Sequence, residues 1–233
     1  MFSLTADLYD AIYAFKDYGA EALKIRQFLA RECPHAATIL DVACGTGEHA
    51  RLLPGFEVDG IDLEPKLVEI ARAKNPAGNF SLGDMREFQL GKRYDVVQCL
   101  FSSIGYLLTA QDIVAALSRF GAHLTPGGVI LVEPWISPAD YKPGSLHMQT
   151  VDRPDLKICR MTVAQREGDI SILHFHYLIA TREGIREAKE VHRLALIPTE
   201  QMASYFEAAG LRWSFDPAGL SGRGLFIARP DRT

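Results

Sequence analysis

Four cysteines, Cys33, Cys44, Cys99 and Cys159, are scattered along the chain, and no two of them form a C-x-x-C pair. Their spacing excludes a disulfide framework and a zinc knuckle. Positive charge is not in excess either. The formal net charge is -4 with acids and bases interspersed, so there is no basic stripe for a phosphate backbone and no nucleic-acid partner is expected. No apolar run approaches the ~20 residues that cross a bilayer, and the first residues lack a signal-peptide pattern. No membrane partner is therefore expected, and a cytoplasmic location is. Internal repeats and low-complexity tracts are missing too. What is present is 233 residues, 48% of them hydrophobic and 23% charged, which suits one domain over 1–233 with a filled core.

The stretch Thr38-Ile39-Leu40-Asp41-Val42-Ala43-Cys44-Gly45-Thr46-Gly47-Glu48-His49 stands out. An apolar, β-branched run ends in an acid, small residues and two glycines one residue apart. It reads as a buried parallel strand, a tight turn and a helix. Glycine serves there because it tolerates φ > 0 and lets a ligand approach the main chain. The free N–H groups of the following helix are expected to face the same spot. Gly45-Thr46-Gly47-Glu48-His49-Ala50 also satisfies G-x-G-x-x-G/A, so an NAD-dependent oxidoreductase is one reading. Asp41 speaks against it, because a carboxylate in the turn suits a cation and repels a pyrophosphate. Phe80-Ser81-Leu82-Gly83-Asp84-Met85 supplies a second acid at the end of the third strand, suited to an adenine amino group. S-adenosylmethionine (SAM) carries a sulfonium, an ammonium and a ribose but no phosphate, and it fits acids around a glycine turn.

Taken in order, the pattern predicts a short helix capped by Thr5 and a second one ending near Glu32, with Leu23, Phe28 and Leu29 inward. This pair is placed to fold over the cofactor as a lid. A strand over 56–61 ends at Asp62, where an acid can accept both ribose hydroxyls. A helix from Pro65 to Lys74 follows, then strands over 79–82 and 94–100. The exit of the latter, 101–106, falls at the carboxyl edge where ligands bind in open α/β sheets. A helix over 110–123 and a strand over 129–133 complete an alternation that predicts a doubly wound parallel sheet. Beyond Pro134 the reading is a loop, three antiparallel strands over 157–165, 170–181 and 188–197, a helix capped by Thr199, and a closing antiparallel pair. His174 and His176 share a strand face by the period of two, and His192 could join them from the next strand. No carboxylate or thiolate accompanies them at ligand spacing, so no metal is expected.

Asp41-Val42-Ala43-Cys44-Gly45-Thr46-Gly47, Gly83-Asp84-Met85-Arg86 and Gly127-Gly128 resemble the motifs of class I SAM-dependent methyltransferases. Over nearly the whole chain the sequence is similar to one subgroup, the N-methyltransferases of dTDP-linked amino sugars (the desosamine and mycaminose type). The matching segments include Phe101-Ser102-Ser103-Ile104-Gly105-Tyr106, Val132-Glu133-Pro134-Trp135 and Ser221-Gly222-Arg223-Gly224-Leu225-Phe226. The resemblance implies an α/β, Rossmann-like, doubly wound seven-stranded sheet with a helical lid over 1–32 and a small antiparallel β insertion over 135–197 above the active site. Residue pattern and resemblance together assign SAM to Tyr13, Asp41, Ala43, Gly45, Gly47, Asp62, Leu63, Asp84, Met85 and Leu100. They assign the acceptor to Tyr18, Ser102, Ser103, Tyr106, Trp135, His176 and Arg223, with Tyr106 and His176 nearest the chemistry. Arg223 and Tyr18 are implied at the nucleotide's phosphates, where a guanidinium fork suits a diphosphate.

The expected activity is methyl transfer from SAM to the amino group of a nucleotide-linked sugar, a dTDP-3-amino-deoxyhexose, by in-line displacement. Such a reaction needs positioning more than a strong base. Alternatives are another small amine or hydroxyl acceptor, the oxidoreductase, or a non-catalytic binding domain. The sequence leaves a homodimer open.

Overall fold

Ile39 and Leu40 are neighbours on the first strand and both fully buried, yet they belong to different cores. The same split separates Val96 from Val97 and Leu131 from Ile130. Strands apolar at every position need cover on both faces, and successive side chains point to opposite sides. Residues 5–231 are described by the computed structural model, so residues 1–4 of the expected lid lie outside it. A 3-10 turn (Ala6–Leu8) precedes α1 (Tyr9–Ile12) and α2 (Tyr18–Glu32). Then come β1 (Thr38–Val42), α3 (Glu48–Arg51), β2 (Glu57–Asp62), α4 (Pro65–Lys74), β3 (Phe80–Leu82) and β4 (Tyr94–Cys99). A 3-10 turn (Ser103–Tyr106) leads to α5 (Ala110–Ala122) and β5 (Leu124–Val132). The remainder is β6 (Leu146–Asp152), β7 (Leu156–Glu167), β8 (Ile170–Thr181), β9 (Gly184–Ala195), α6 (Thr199–Ala208), β10 (Leu211–Asp216) and β11 (Leu225–Pro230).

The main sheet has the order β10-β11-β5-β4-β1-β2-β3. Strands β1 to β5 are parallel to their neighbours, and β11 runs antiparallel to both β5 and β10. This is the expected Rossmann-like, doubly wound, seven-stranded sheet. One face is covered by α5 through Ile113, Leu117 and Phe120 and by α6 through Met202 and Phe206. The other is covered by Ala22, Ile25, Phe28 and Leu29 of α2 and by Val68 and Ala71 of α4. The strand order reverses between β1 and β4, where Asp41 is the register partner of Gln98. A crevice opens outside the carboxyl ends of the strands at such a point.

The second sheet has four antiparallel strands, β6-β7-β8-β9. Its inner face packs Ile158, Phe175, Tyr177 and Ile179 against Tyr9, Ile12, Tyr13 and Leu67. It thereby lies against the N-terminal segment that borders the crevice. No helix among the described residues is long and apolar enough to cross a membrane.

Five local expectations need correction. Strand β6 adds a fourth strand to the three expected in the insertion; it is an edge strand whose apolar residues Leu146 and Met148 face outward and are exposed, so it carries no core-facing pattern. Leu23 is 64% exposed, and Ala22 and Ile25 take the inward positions on α2. The Thr5 hydroxyl donates to Glu190 rather than capping a helix. Thr199 opens α6 without a side-chain cap. The helix expected beyond the glycines, α3, is a single turn.

Candidate active site

The backbone after β1 is held in unusual conformations: Ala43, Gly45 and Gly47 have φ of 58°, 55° and 74°. A Cβ on Gly47 would come within 2.5 Å of the Asn75 amide, so that position requires glycine on steric grounds as well. Asp62, at the end of β2, secures the turn: its Oδ2 accepts the Gly45 N–H at 2.9 Å and its Oδ1 the Glu64 N–H at 3.0 Å. Burial raises its carboxyl above the usual aspartate range, and these backbone N–H groups oppose that rise. Asp62, Ala43 and Gly45 line a cavity of about 520 Å3 together with Tyr9, Leu63, Asp84, Met85, Ser103 and Tyr106. The Asp84 carboxylate is held low by Arg86, which grips it at 2.6 to 3.1 Å.

A narrower cleft joins Asp41, Gly45, Leu100, Tyr9 and Tyr18. Asp41 is 2% exposed, and its Oδ2 has no hydrogen-bond partner. Burial pushes the Asp41 carboxyl up to about 6. The buried Gln98 amide lies beside it on β4 and, with His49, opposes the rise that burial produces. A buried acceptor left unpaired is costly, and an ammonium group above it removes the cost. The carboxylates Asp41 and Asp62 beside the glycine turn thus suit the ammonium and ribose of SAM, and they do not suit a diphosphate.

The exit of β4 is strained. Phe101 and Ser102 take φ of 51° and 61° in succession, a conformation that costs non-glycine residues roughly 1–2 kcal/mol each. Buried Glu133 supports it: one carboxylate oxygen accepts the Phe101 N–H at 2.7 Å and the other the Ser221 hydroxyl at 2.6 Å. Ser102 donates to the Pro134 carbonyl and accepts from Arg223 at 3.3 Å. The Arg223 guanidinium lies over the rings of Phe101 and Trp135, 5.6 and 5.4 Å from their centres. The Lys16 ammonium sits 4.6 Å from the centre of the Phe101 ring and 4.7 Å from that of Tyr18, and is paired with Glu21. Lys16 thereby links the Tyr18 ring to the Phe101 ring, over which Arg223 also lies. Trp135 and Arg223 also line a second cavity of about 520 Å3 behind the 3-10 turn.

Three residues assigned from the sequence, His176, Tyr13 and Gly47, do not line the cavity or the cleft. His176 is exposed on the outer face of β8, whereas its neighbours Phe175 and Tyr177 are buried. The register sets His192 opposite Leu173 and Val191 opposite His174, so His192 faces away from both other histidines. Tyr13 lies one turn beyond the cavity, edge-on to Phe101 at 5.2 Å, and it is Tyr9 that lines both cavity and cleft. Gly47 shapes the turn without lining either. Sequence reasoning missed Gln98, Glu133 and Glu190; it left Tyr9 and Tyr13 equally open between core packing and the methionine end of SAM, and it considered His192 only beside His174 and His176. Of those missed, only Gln98 and Glu133 left a signal: polar residues inside otherwise apolar strands.

Carboxylates at three strand ends around a glycine turn, on a doubly wound sheet, define a SAM-dependent methyltransferase of class I. Residues 39–128 match the family model described as a methyltransferase domain. Over 97% of its length the chain is 43% identical to the dTDP-3-amino-3,6-dideoxy-alpha-D-glucopyranose N,N-dimethyltransferase of Streptomyces fradiae, covering 90% of that protein. The crystal structure of Streptomyces venezuelae DesVI superposes with a TM-score of 0.91 at 37% identity, over 97% of this chain and 98% of that one. SAM-bound CalS10, an amino pentose methyltransferase from Micromonospora echinaspora involved in calicheamicin biosynthesis, superposes with a TM-score of 0.87 at 33% identity, over 96% and 97%. The chain belongs to this family of SAM-dependent N-methyltransferases and is an enzyme whose cofactor is SAM. The oxidoreductase and the non-catalytic binding domain are set aside.

The buried Asp41 gives a pH prediction. Its carboxyl is raised by burial, so the folded protein binds this proton more tightly than the unfolded chain. The stability it contributes is complete below the ordinary aspartate value and is lost as pH rises through about 6. A bound ammonium prefers the ionised form, so affinity for S-adenosylhomocysteine rises as pH climbs through that value and levels off above about 7. Asp41→Asn flattens the dependence and weakens binding about tenfold at neutral pH, the loss of one charged hydrogen bond. Calorimetric titration from acid to neutral pH checks this, and an undiminished slope in the variant disproves the role.

Proposed function

We propose that this enzyme methylates the amino group of a nucleotide-linked amino-deoxy sugar, of the dTDP-3-amino class, with SAM as donor. The support is the joint presence of the anionic cofactor crevice and the Tyr18–Phe101–Arg223 cluster beside it. Among the described residues no carboxylate is paired with Arg223. A guanidinium flanked by two aromatic rings and small residues suits a diphosphate. The names of two relatives specify dTDP-3-amino sugars, and that of a third, 34% identical, a dTDP-4-amino sugar.

In the proposed arrangement Asp41 takes the ammonium, Asp62 the ribose hydroxyls, and Asp84 with Met85 and Leu63 the adenine. Leu100, Ala43 and Gly45 line the methionine end. Tyr106, Ser103 and Ser102 border the acceptor amine, Trp135 the sugar, and Tyr18 with Arg223 the diphosphate. The bound donor supplies an already activated methyl group on a sulfonium. The chain's task is to bring the acceptor nitrogen into line and exclude water. The segment 5–32 and the four-stranded sheet close over the crevice as lid and insertion. The exposed outer sheet face, with Leu146, Met148, Met161 and Leu178, is left for a second copy in a homodimer.

A panel of dTDP-linked amino sugars, their nucleotide-free counterparts and unrelated small amines, read by mass spectrometry, tests the reading. Transfer confined to the nucleotide-linked members supports it. Equal transfer to free amines replaces it with a general small-amine methyltransferase.

A further inference from the structure

Tyr106 lines the same cavity as Asp62 and Ala43, and its hydroxyl's hydrogen bond leads to a residue outside that lining. It meets Nδ1 of His192 at 2.7 Å. His192 is 1% exposed, and its Nε2 faces a Glu190 carboxylate oxygen at 3.4 Å. Glu190 is buried as well and accepts from the Thr5 hydroxyl at 3.1 Å and the Tyr177 hydroxyl at 3.3 Å. The three side chains form one line from the cavity wall into the four-stranded sheet. Resting on the reading of Tyr106 as the acceptor-side residue, we propose that this line is the exit for the proton the acceptor nitrogen must shed.

Donor and acceptor roles follow from chemistry. A carboxylate only accepts, so the nitrogen facing Glu190 carries the hydrogen and Nδ1 is left to accept from Tyr106. The ring is oriented by Phe175, 4.7 Å away centre to centre. His192 and Glu190 both point inward by the period of two on β9. Facing the imidazole are Glu190 on its own strand, Tyr106 from the turn after β4, and Arg160 from β7. Tyr177 of β8 faces Glu190, and Tyr13 and Asp62 face Tyr106. Burial holds His192 below the usual histidine range, opposed by Glu190, so it is neutral and able to accept at neutral pH.

The balance of the step is simple. An N–H bond of the acceptor ammonium breaks, and its electron pair stays on nitrogen, ready for attack. The proton joins the Tyr106 oxygen as the tyrosine's own proton moves to His192 Nδ1. Tyr106 ends unchanged, and His192 becomes an imidazolium beside Glu190. After product leaves, the proton returns through Tyr106 to water. Each methyl added repeats the cycle.

A merely structural network gives a defect that does not depend on pH. The relay gives one that vanishes once the amine is already neutral. The test is the rate of methyl transfer at saturating SAM, from pH 6 to 10, for the parent enzyme, Tyr106→Phe and Glu190→Gln, with S-adenosylhomocysteine affinity as the check on folding. Tyr106→Phe is expected to be about tenfold slower near pH 7, below the usual range for general bases because water also takes an amine proton. The deficit should close above the acceptor's own pKa, and Glu190→Gln should show the same shape with a smaller loss. An active parent with no deficit, or one constant across pH, overturns the relay alone. A parent that binds S-adenosylhomocysteine yet methylates no amino sugar removes the substrate reading and the relay with it.

Discussion

Asp62→Ala is expected to lower SAM affinity about a thousandfold, the largest effect of any single substitution considered. Its carboxylate accepts the Gly45 and Glu64 N–H groups, so the turn and the start of α4 are tied to one side chain. In the proposed complex the remaining lone pairs accept both ribose hydroxyls. Each such charged hydrogen bond is worth about 1.5–3 kcal/mol, and losing the ribose pair alone costs about 3–6 kcal/mol. Relaxation of the turn adds to that. The fold itself should persist, because burial already raises this carboxyl and removing it relieves a desolvated charge. Calorimetry gives the affinity, and a thermal melt without ligand separates binding from folding. An affinity within threefold of the parent's would show that the ribose lies elsewhere. Asp62→Asn keeps the shape and one acceptor, so an intermediate loss is expected.

Arg223→Ala is expected to raise KM for a dTDP-linked amino sugar about a hundredfold while leaving KM for SAM nearly unchanged. A guanidinium–phosphate fork carries two charged hydrogen bonds, and losing it costs about 3 kcal/mol at the lower end. Arg223→Lys should recover only part, because an ammonium cannot reproduce the planar fork or its place over Phe101 and Trp135. The control is an amino sugar without nucleotide, which offers no diphosphate. Parent and variant should treat it alike, and an equal loss on both acceptors would show that Arg223 supports the loop rather than the phosphates.

These two residues differ in how visible they were. Asp62 is announced by a hydrophobic strand that ends in an acid shortly after a glycine turn, and the backbone bonds it makes are local to that turn. Arg223 is an arginine among small residues, which any surface loop can contain. Its place against Phe101 depends on Ser221 reaching Glu133, a partner 88 positions away in sequence. The histidines show the limit most clearly. The period of two correctly put His174 and His176 on one face, but whether that face is inner or outer depends on how β8 docks. A shift of one residue in that packing exchanges the whole set.

The sequence alone determined the doubly wound sheet, the bounds of α4, the glycine turn and the acids at the strand ends. All of these follow from periodicity, positive-φ requirements and caps, which act between residues a few positions apart. Tertiary structure decided which aromatic residue faces the cofactor crevice, that one Asp41 carboxylate oxygen is left without a partner, and that Tyr106 meets a histidine 86 residues away. Those outcomes depend on the register of β9 and on the docking of the second sheet against Tyr9 and Tyr13. Packing of that kind sums weak contacts over the whole chain, and no short stretch of sequence contains it.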